Sequence, residues 1–196
     1  MPTVNVGNNY VSRAEGKLEG AVKSFSYDFR DKTVLDIGSS TGGFTELALK
    51  LGAKKVVAVE KGTNQMKAPL RFDPRVELHE KTDFFCIVKD KTIFDVILAD
   101  VSFVSLKKIL AHAKQFADGG TDFLVMLKPQ FEARKEQLWN GVIKNERMRR
   151  EIIKDFEWWL KENGFVVIKK HDNEVVGKNG NRERFYYLRK TLAHML

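Results

Sequence analysis

At 196 residues, with hydrophobic residues at 43% and charged residues at 31%, the chain has the length and mixture of one globular domain with a substantial core and no low-complexity tract. A single cysteine, Cys86, excludes a disulfide framework and a cysteine-based metal site; the start, MPTVNVGNNYVSR, has no signal pattern, and no apolar run approaches the roughly 18 to 20 residues of a spanning helix. These features predict a reduced, cytoplasmic setting with no stable membrane insertion, and the net charge of +8 suggests a polyanionic partner without identifying it.

In chain order, Lys17 lies on an amphipathic helix. The runs KTVLDIG (Lys32 to Gly38), KVVAVE (Lys55 to Glu60), FDVILAD (Phe94 to Asp100), TDFLVMLK (Thr121 to Lys128) and FVVIKKH (Phe165 to His171) are short, apolar and rich in Val and Ile. Such runs suit strands buried on both faces of a parallel sheet. Between them come helical patterns, FTELALKLG (Phe44 to Gly52), SLKKILAHAKQF (Ser105 to Phe116) and ERMRREIIKDFEWWLKENG (Glu146 to Gly164), two of which close on a glycine. The last strand, RERFYYLRK (Arg182 to Lys190), follows the turn-rich connector NEVVGKNGN and is expected to pair antiparallel with the strand before it. The predicted fold is α/β: a doubly wound Rossmann-like sheet, mostly parallel, with an antiparallel hairpin at one edge.

In such sheets ligands bind beyond the carboxyl ends of the strands, and the sequence concentrates chemistry there. Asp36 and the turn GSSTGGF (Gly38 to Phe44) end the first strand, Glu60 the second, Asp100 the strand that begins at Phe94, and Lys128 the next. Glycines at 38, 42 and 43 do not have the G-x-G-x-x-G spacing of a dinucleotide site. An acid ending the second strand suits a ribose, because a carboxylate can accept hydrogen bonds from both hydroxyls. A cofactor with a ribose but no pyrophosphate fits these parts, and S-adenosylmethionine is the leading candidate. The plainer alternative is that Gly38, Gly42 and Gly43 only shape a strand-to-helix turn.

The segments YVSRAEGKLEGA, LDIGSSTGGFTE, VEKGTNQM, DPRV, ADVSFVSL and LKPQFEARKEQ, in this order from Tyr10 to Arg189, closely resemble the TlyA-like family, whose members go by the names of hemolysins and of rRNA 2'-O-methyltransferases with the FtsJ-type fold. The resemblance implies that Gly38, Ser39, Ser40, Thr41, Gly42 and Gly43, flanked by Asp36 and Phe44, wrap the methionine part of S-adenosylmethionine, that Glu60 holds the ribose, and that Asp83 lies beside the adenine. It places the catalytic set on Lys17, Asp100, Lys128 and Glu183, with Asp100 also against the cofactor. It implies rRNA or ribosomal subunits as partners, with cytidine as the target nucleoside, and leaves the oligomeric state open. On this reading residues 10–196 form the methyltransferase domain. Residues 1–9 are too short for the small N-terminal RNA-binding domain the family usually carries, so rRNA docking is expected to be weak without one. The stretch LWNGVIKN also departs from a family segment that is usually richer in glycine.

Read from chemistry alone, the four residues keep alternatives. A ribose hydroxyl must be aligned with the methyl donor and relieved of its proton. Lys128 could act as base if desolvated, or two lysines and two carboxylates could orient the hydroxyl. Lys17 could be a solvated helix lysine, Asp100 a turn cap and Glu183 part of an ordinary edge strand. For RNA the candidates are Arg13, Lys17, Arg134, Lys135, Lys144, Arg147, Arg149 and Arg150, with the loop Pro129 to Asn145 as the substrate wall. Trp158 and Trp159 read as helix packing, and His79, His112, His171 and His194 form no spaced ligand pair, so no metal site is expected. A cofactor- or RNA-binding protein without turnover and a membrane-lysing hemolysin are the competing functions. The first would be expected to lack the four catalytic residues, and the second has only a basic surface to support it.

Overall fold

The computed structural model describes residues 13–88, 92–173 and 180–191. The N-terminal segment 1–9, the start of the first family-like motif, most of the connector NEVVGKNGN, and His194 lie outside the described residues. The chain runs α1 (Arg13–Phe25), β1 (Thr33–Ile37), α2 (Gly43–Lys50), β2 (Lys55–Val59), α3 (Ala68–Arg71), β3 (Val76–His79), β4 (Val96–Ala99), α4 (Leu106–Ala113), β5 (Asp122–Leu127), β6 (Leu138–Trp139), β7 (Val142–Ile143), α5 (Glu146–Glu162), β8 (Phe165–Asp172) and β9 (Arg184–Lys190). A seven-stranded sheet has the order β3-β2-β1-β4-β5-β9-β8, and β6 and β7 form a separate two-stranded hairpin. The first five strands of that order are parallel, while β9 pairs antiparallel with both β5 and β8.

Strand periodicity builds a core on each face, since alternate side chains point to opposite sides of a sheet. Leu35, Ile37, Ile97, Phe123 and Val125 join α4 and α5 through Leu110, Ile153 and Phe156. Val34, Val96, Leu98 and Leu124 join α1 and α2 through Leu18, Val22 and Leu47. The mostly parallel sheet is therefore covered on both sides, as the continuous apolar runs of β4 and β5 require. The predicted helix Glu146 to Gly164 starts where Asn145 Oδ1 accepts the Met148 N–H at 2.9 Å, an N-cap that satisfies one of the free donors of the first turn. Its Ile152, Ile153, Phe156 and Leu160 are buried at helical spacing.

Three expectations change. The run Phe165 to His171 was expected to be buried on both faces. Instead β9 enters between β5 and β8, which leaves β8 at the rim of the sheet with Val166 and Ile168 exposed. Strand β3 and the short helix α3 complete the opposite edge; β3 has only four residues, and its alternating half-buried pattern VELH gives little sequence signal. Helix α4 stops at Ala113, and Lys114–Phe116 tighten into a 3-10 turn. Trp159 packs as expected, 6.4 Å from the ring of Phe156 and 6.3 Å from that of Phe165, whereas Trp158 is exposed.

Candidate active site

The sheet order reverses at β1, with β2 and β3 to one side and β4 and β5 to the other. A crevice opens there at the strands' carboxyl ends, the general ligand position in open α/β sheets. A cleft of about 710 Å³ occupies it, walled by the ends of β1 and β2, the turn after β3 and the loop after β4. Gly38, Ser40, Glu60, Asp83 and Asp100 line this cleft, together with Lys61, Gln65, Phe85, Ser102 and Phe103, which the sequence reading did not single out.

Local geometry explains the glycine turn. Gly38 has φ +80°, and a Cβ there would lie 3.0 Å from the Asp100 carbonyl oxygen. Its N–H and that of Ser39 both donate to the Val59 carbonyl, at 2.9 and 3.1 Å, so the turn is tied across to the end of β2. Gly42 has φ +96° and faces Leu70 of α3, where a Cβ would come within 2.5 Å of Cδ1. Only glycine adopts these left-handed conformations without strain. Ser39, Thr41, Gly42, Gly43 and Phe44 are not on the cleft wall; they build the turn and the start of α2, and the Phe44 ring packs 5.8 Å from that of Phe185.

Asp36 also lies away from the cleft wall. It is fully buried beneath the turn, where Oδ2 accepts from the Thr45 hydroxyl at 2.6 Å and Oδ1 has no hydrogen-bond partner. Burial pushes its carboxyl up to about 7, against the pull of the Thr45 hydrogen bond and with a further push from the charge of Asp100. Glu60 joins the two turns, Oε2 accepting the Ser40 N–H at 2.9 Å and Oε1 the Gly62 N–H at 2.6 Å. Oε1 also accepts from Gln65 Nε2 at 3.4 Å, while Oε2 keeps a second lone pair for a ligand's hydroxyl. Asp83 opens the 3-10 turn Phe84–Cys86, accepting the Phe85 N–H at 3.1 Å, and pairs with Lys61 at 2.9 Å, which holds its carboxyl below the usual range.

Lys17, Asp100, Lys128 and Glu183 fall into two ion pairs. Lys128 Nζ lies 2.6 Å from Asp100 Oδ1 and donates to Ser102 Oγ at 2.8 Å. Lys17, carried by α1, pairs with Glu183. The antiparallel register sets Leu127 opposite Arg184, so the next residues outward, Lys128 and Glu183, leave the sheet side by side. All four side chains are largely shielded from solvent, at 16% (Lys17), 6% (Glu183), 13% (Lys128) and 17% (Asp100) exposure. Charges withdrawn from water need partners, and here each supplies the other's.

The candidate RNA residues separate by placement. Arg134, Lys135, Lys144, Arg147 and Arg150 are exposed on the loop after β5 and the first turns of α5. Arg149 is not available: it is 6% exposed and held internally by Asp172 at 2.7 Å, Glu146 at 3.3 Å and the Arg182 carbonyl at 3.1 Å. A helical period could have shown this, since Arg149 shares the buried face with Ile152, Ile153 and Phe156. The side chain of Arg13 is outside the described residues. Among the described residues, no helix is long and apolar enough to cross a membrane.

With this geometry in view, the comparisons with known proteins agree with one another. The model of the FtsJ-like methyltransferase family matches residues 10–190. The chain is 36% identical over 180 residues to the Campylobacter jejuni 23S rRNA (cytidine-2'-O)-methyltransferase TlyA, covering 91% of this chain and 70% of that one. It is 34% identical over 183 residues to the Mycobacterium tuberculosis 16S/23S rRNA (cytidine-2'-O)-methyltransferase TlyA, covering 92% and 68%. A solved structure of a Streptococcus thermophilus protein described as a hemolysin superposes with a TM-score of 0.89 at 35% identity, covering 93% of this chain and 68% of that one. The resemblance read from the motifs thus holds over nearly the whole chain, and the protein belongs to the FtsJ-like methyltransferase family.

Proposed function

We propose that this protein transfers a methyl group from S-adenosylmethionine to the 2'-hydroxyl of a ribose in ribosomal RNA, a cytidine ribose as in the names of its relatives. The observation that carries the reading is the pair of shielded ion pairs, Lys128 with Asp100 and Lys17 with Glu183, the first of which reaches through Asp100 a cleft that Gly38 and Ser40 also line. The methyltransferase domain spans residues 10–196 in this reading, and the enzyme works in the cytoplasm, where rRNA is available.

The cleft suits S-adenosylmethionine. The absence of a side chain at Gly38 lets the turn pack against the Asp100 backbone at the cleft wall, Glu60 offers a lone pair to a ribose, and Asp83 and Phe85 line the cleft beyond it, where they could border a purine. When bound, this cofactor supplies an electrophilic methyl group. Glu60 would accept from its ribose hydroxyls, and Gly38 and Ser40 would border its methionine portion. Asp36, Ser39, Thr41, Gly42, Gly43 and Phe44 act by holding that turn in shape.

The protein's own chemistry is then orientation and proton acceptance. In its ion pair Lys128 is a hydrogen-bond donor, so it can fix a ribose oxygen, while Asp100 and Glu183 are the groups able to accept the proton. Lys17 holds Glu183 in place. Positioning of this kind removes much of the entropic barrier to in-line transfer. The basic residues around the loop after β5 supply phosphate contacts, which add affinity without reading sequence.

The test is to map ribose methylation across rRNA from cells with and without the gene and to repeat the transfer in vitro with purified subunits and labelled cofactor. One or more ribose methyl groups that disappear with the gene and return with the purified protein are expected. An unchanged ribose map together with no transfer in vitro would overturn the proposal.

A further inference from the structure

The loop after β5 is an ordered arm. β6 and β7 pair Leu138 with Ile143 and Trp139 with Val142 across Asn140 and Gly141, whose φ values of +47° and +77° make the tight Asn-Gly turn that two-residue hairpins favour. The hairpin is too short to be stable alone. Asn181 holds it: this side chain, 5% exposed, accepts the Ile143 N–H through Oδ1 at 3.0 Å and donates through Nδ2 to the Gly141 carbonyl at 3.0 Å. Asn181 stands two residues before Glu183, so the hairpin is clamped to the segment that leads through Glu183 into β9. At its tip Trp139 is 71% exposed, and the exposed Arg134, Lys135 and Lys144 surround it along the chain, with Glu136 the one acid among them. The Lys144 ammonium caps the Glu136 carbonyl at 2.6 Å and so remains on the hairpin.

We propose that Trp139 is a base-stacking contact for a single-stranded nucleotide beside the target ribose, presented at a fixed angle by the Asn181 clamp. The proposal rests on the methyltransferase reading above and deepens it. A solitary exposed apolar side chain by itself needs no explanation. Trp139 differs because its hairpin is held at Gly141 and Ile143 by a buried amide two residues from Glu183, and because the flanking charges are those an RNA backbone attracts. An indole face stacks on any base, and basic neighbours track the phosphates; this combination is how single strands are held. Asn181 is a positioning residue in this account, acting through the hairpin.

The experiment compares the full chain with Trp139→Ala, Trp139→Phe and Asn181→Ala, using calorimetry with S-adenosylmethionine, methyl transfer to naked rRNA and to ribosomal subunits, and tryptophan emission. Unchanged cofactor affinity in all three shows that they fold. Trp139→Ala should raise KM for RNA about tenfold or more with little change in kcat, and Trp139→Phe should restore most of the loss. RNA should quench the emission of the wild type but not of Trp139→Phe, in which Trp158 and Trp159 remain, and quenching in Asn181→Ala should be weaker. If the wild type methylates rRNA while Trp139→Ala does so with unchanged KM, the stacking contact is wrong and the methyltransferase reading stands. A defect seen with subunits but not with naked rRNA would assign Trp139 to a ribosomal protein and overturn the RNA contact. A wild type that binds cofactor and methylates neither substrate would overturn both proposals.

Discussion

Asp36 should make the fold lose stability as pH rises, and replacing it by asparagine should remove that loss. The carboxyl is completely buried, is satisfied on one oxygen only, and titrates near 7 in the folded chain against an ordinary 3.8. Because the folded state holds the proton more tightly than the unfolded chain, the group's contribution is complete below about 3.8. It fades through the interval above that value and is gone once pH has passed about 7. At roughly 1.4 kcal/mol for each pH unit separating the two values, the whole contribution is on the order of 4 kcal/mol. That is a large share of the roughly 5 to 15 kcal/mol that holds a domain together. Urea unfolding at pH 5, 6, 7 and 8, for the wild type and for Asp36→Asn, measures it. The neutral amide keeps an acceptor for Thr45 and cannot ionise. Carboxylates such as Glu80 and Asp172, held low by arginine partners, titrate alike in both proteins and cancel in the difference. The stability difference between variant and wild type should move in favour of Asp36→Asn by about 2 to 3 kcal/mol between pH 5 and pH 8. A difference that stays flat across that range would refute a protonated, buried Asp36.

Glu60→Ala should weaken S-adenosylmethionine binding by about 1.5 to 3 kcal/mol, the usual loss for a charged hydrogen-bond partner, and calorimetry reads it directly. If the proposed assignment holds, Lys128→Ala should reduce single-turnover methylation about a hundredfold or more while cofactor affinity stays near that of the wild type, because Lys128 touches the cleft only through its partners Asp100 and Ser102. Gly42→Ala should lower the melting temperature, since a Cβ at φ +96° meets Leu70 Cδ1 at 2.5 Å; about 1 kcal/mol or more is expected from the backbone alone. Arg149→Ala should destabilise the fold by about 1 to 3 kcal/mol, chiefly by leaving the Arg182 carbonyl without its donor, since Asp172 keeps Arg184 at 2.7 and 2.8 Å, with a denaturant midpoint as the readout.

Much of this was legible in the residues. Val- and Ile-rich runs alternating with helical periods led to a covered parallel sheet, because burial on both faces demands continuous apolar strands. The strand ends then led to the cleft: Gly38, Glu60 and Asp100 all face it, as does Asp83, which the family resemblance had implied. Those inferences succeed because they rest on local patterns that each segment carries by itself.

What the residues could not reveal is relational. Nothing in RERFYYLRK says that it inserts between β5 and β8, yet this register brings Glu183 beside Lys128 and leaves the run Phe165 to His171 at the rim. Composition could not divide the four catalytic candidates into two ion pairs, because partners 166 residues apart meet only when α1 packs against the sheet beside β9. Nor could it show that Asn181 ties the hairpin to the segment that leads into β9. A local pattern fixes which face of an element is apolar, but the partner of a buried charge is chosen by which elements become neighbours, and that choice belongs to the packed chain as a whole.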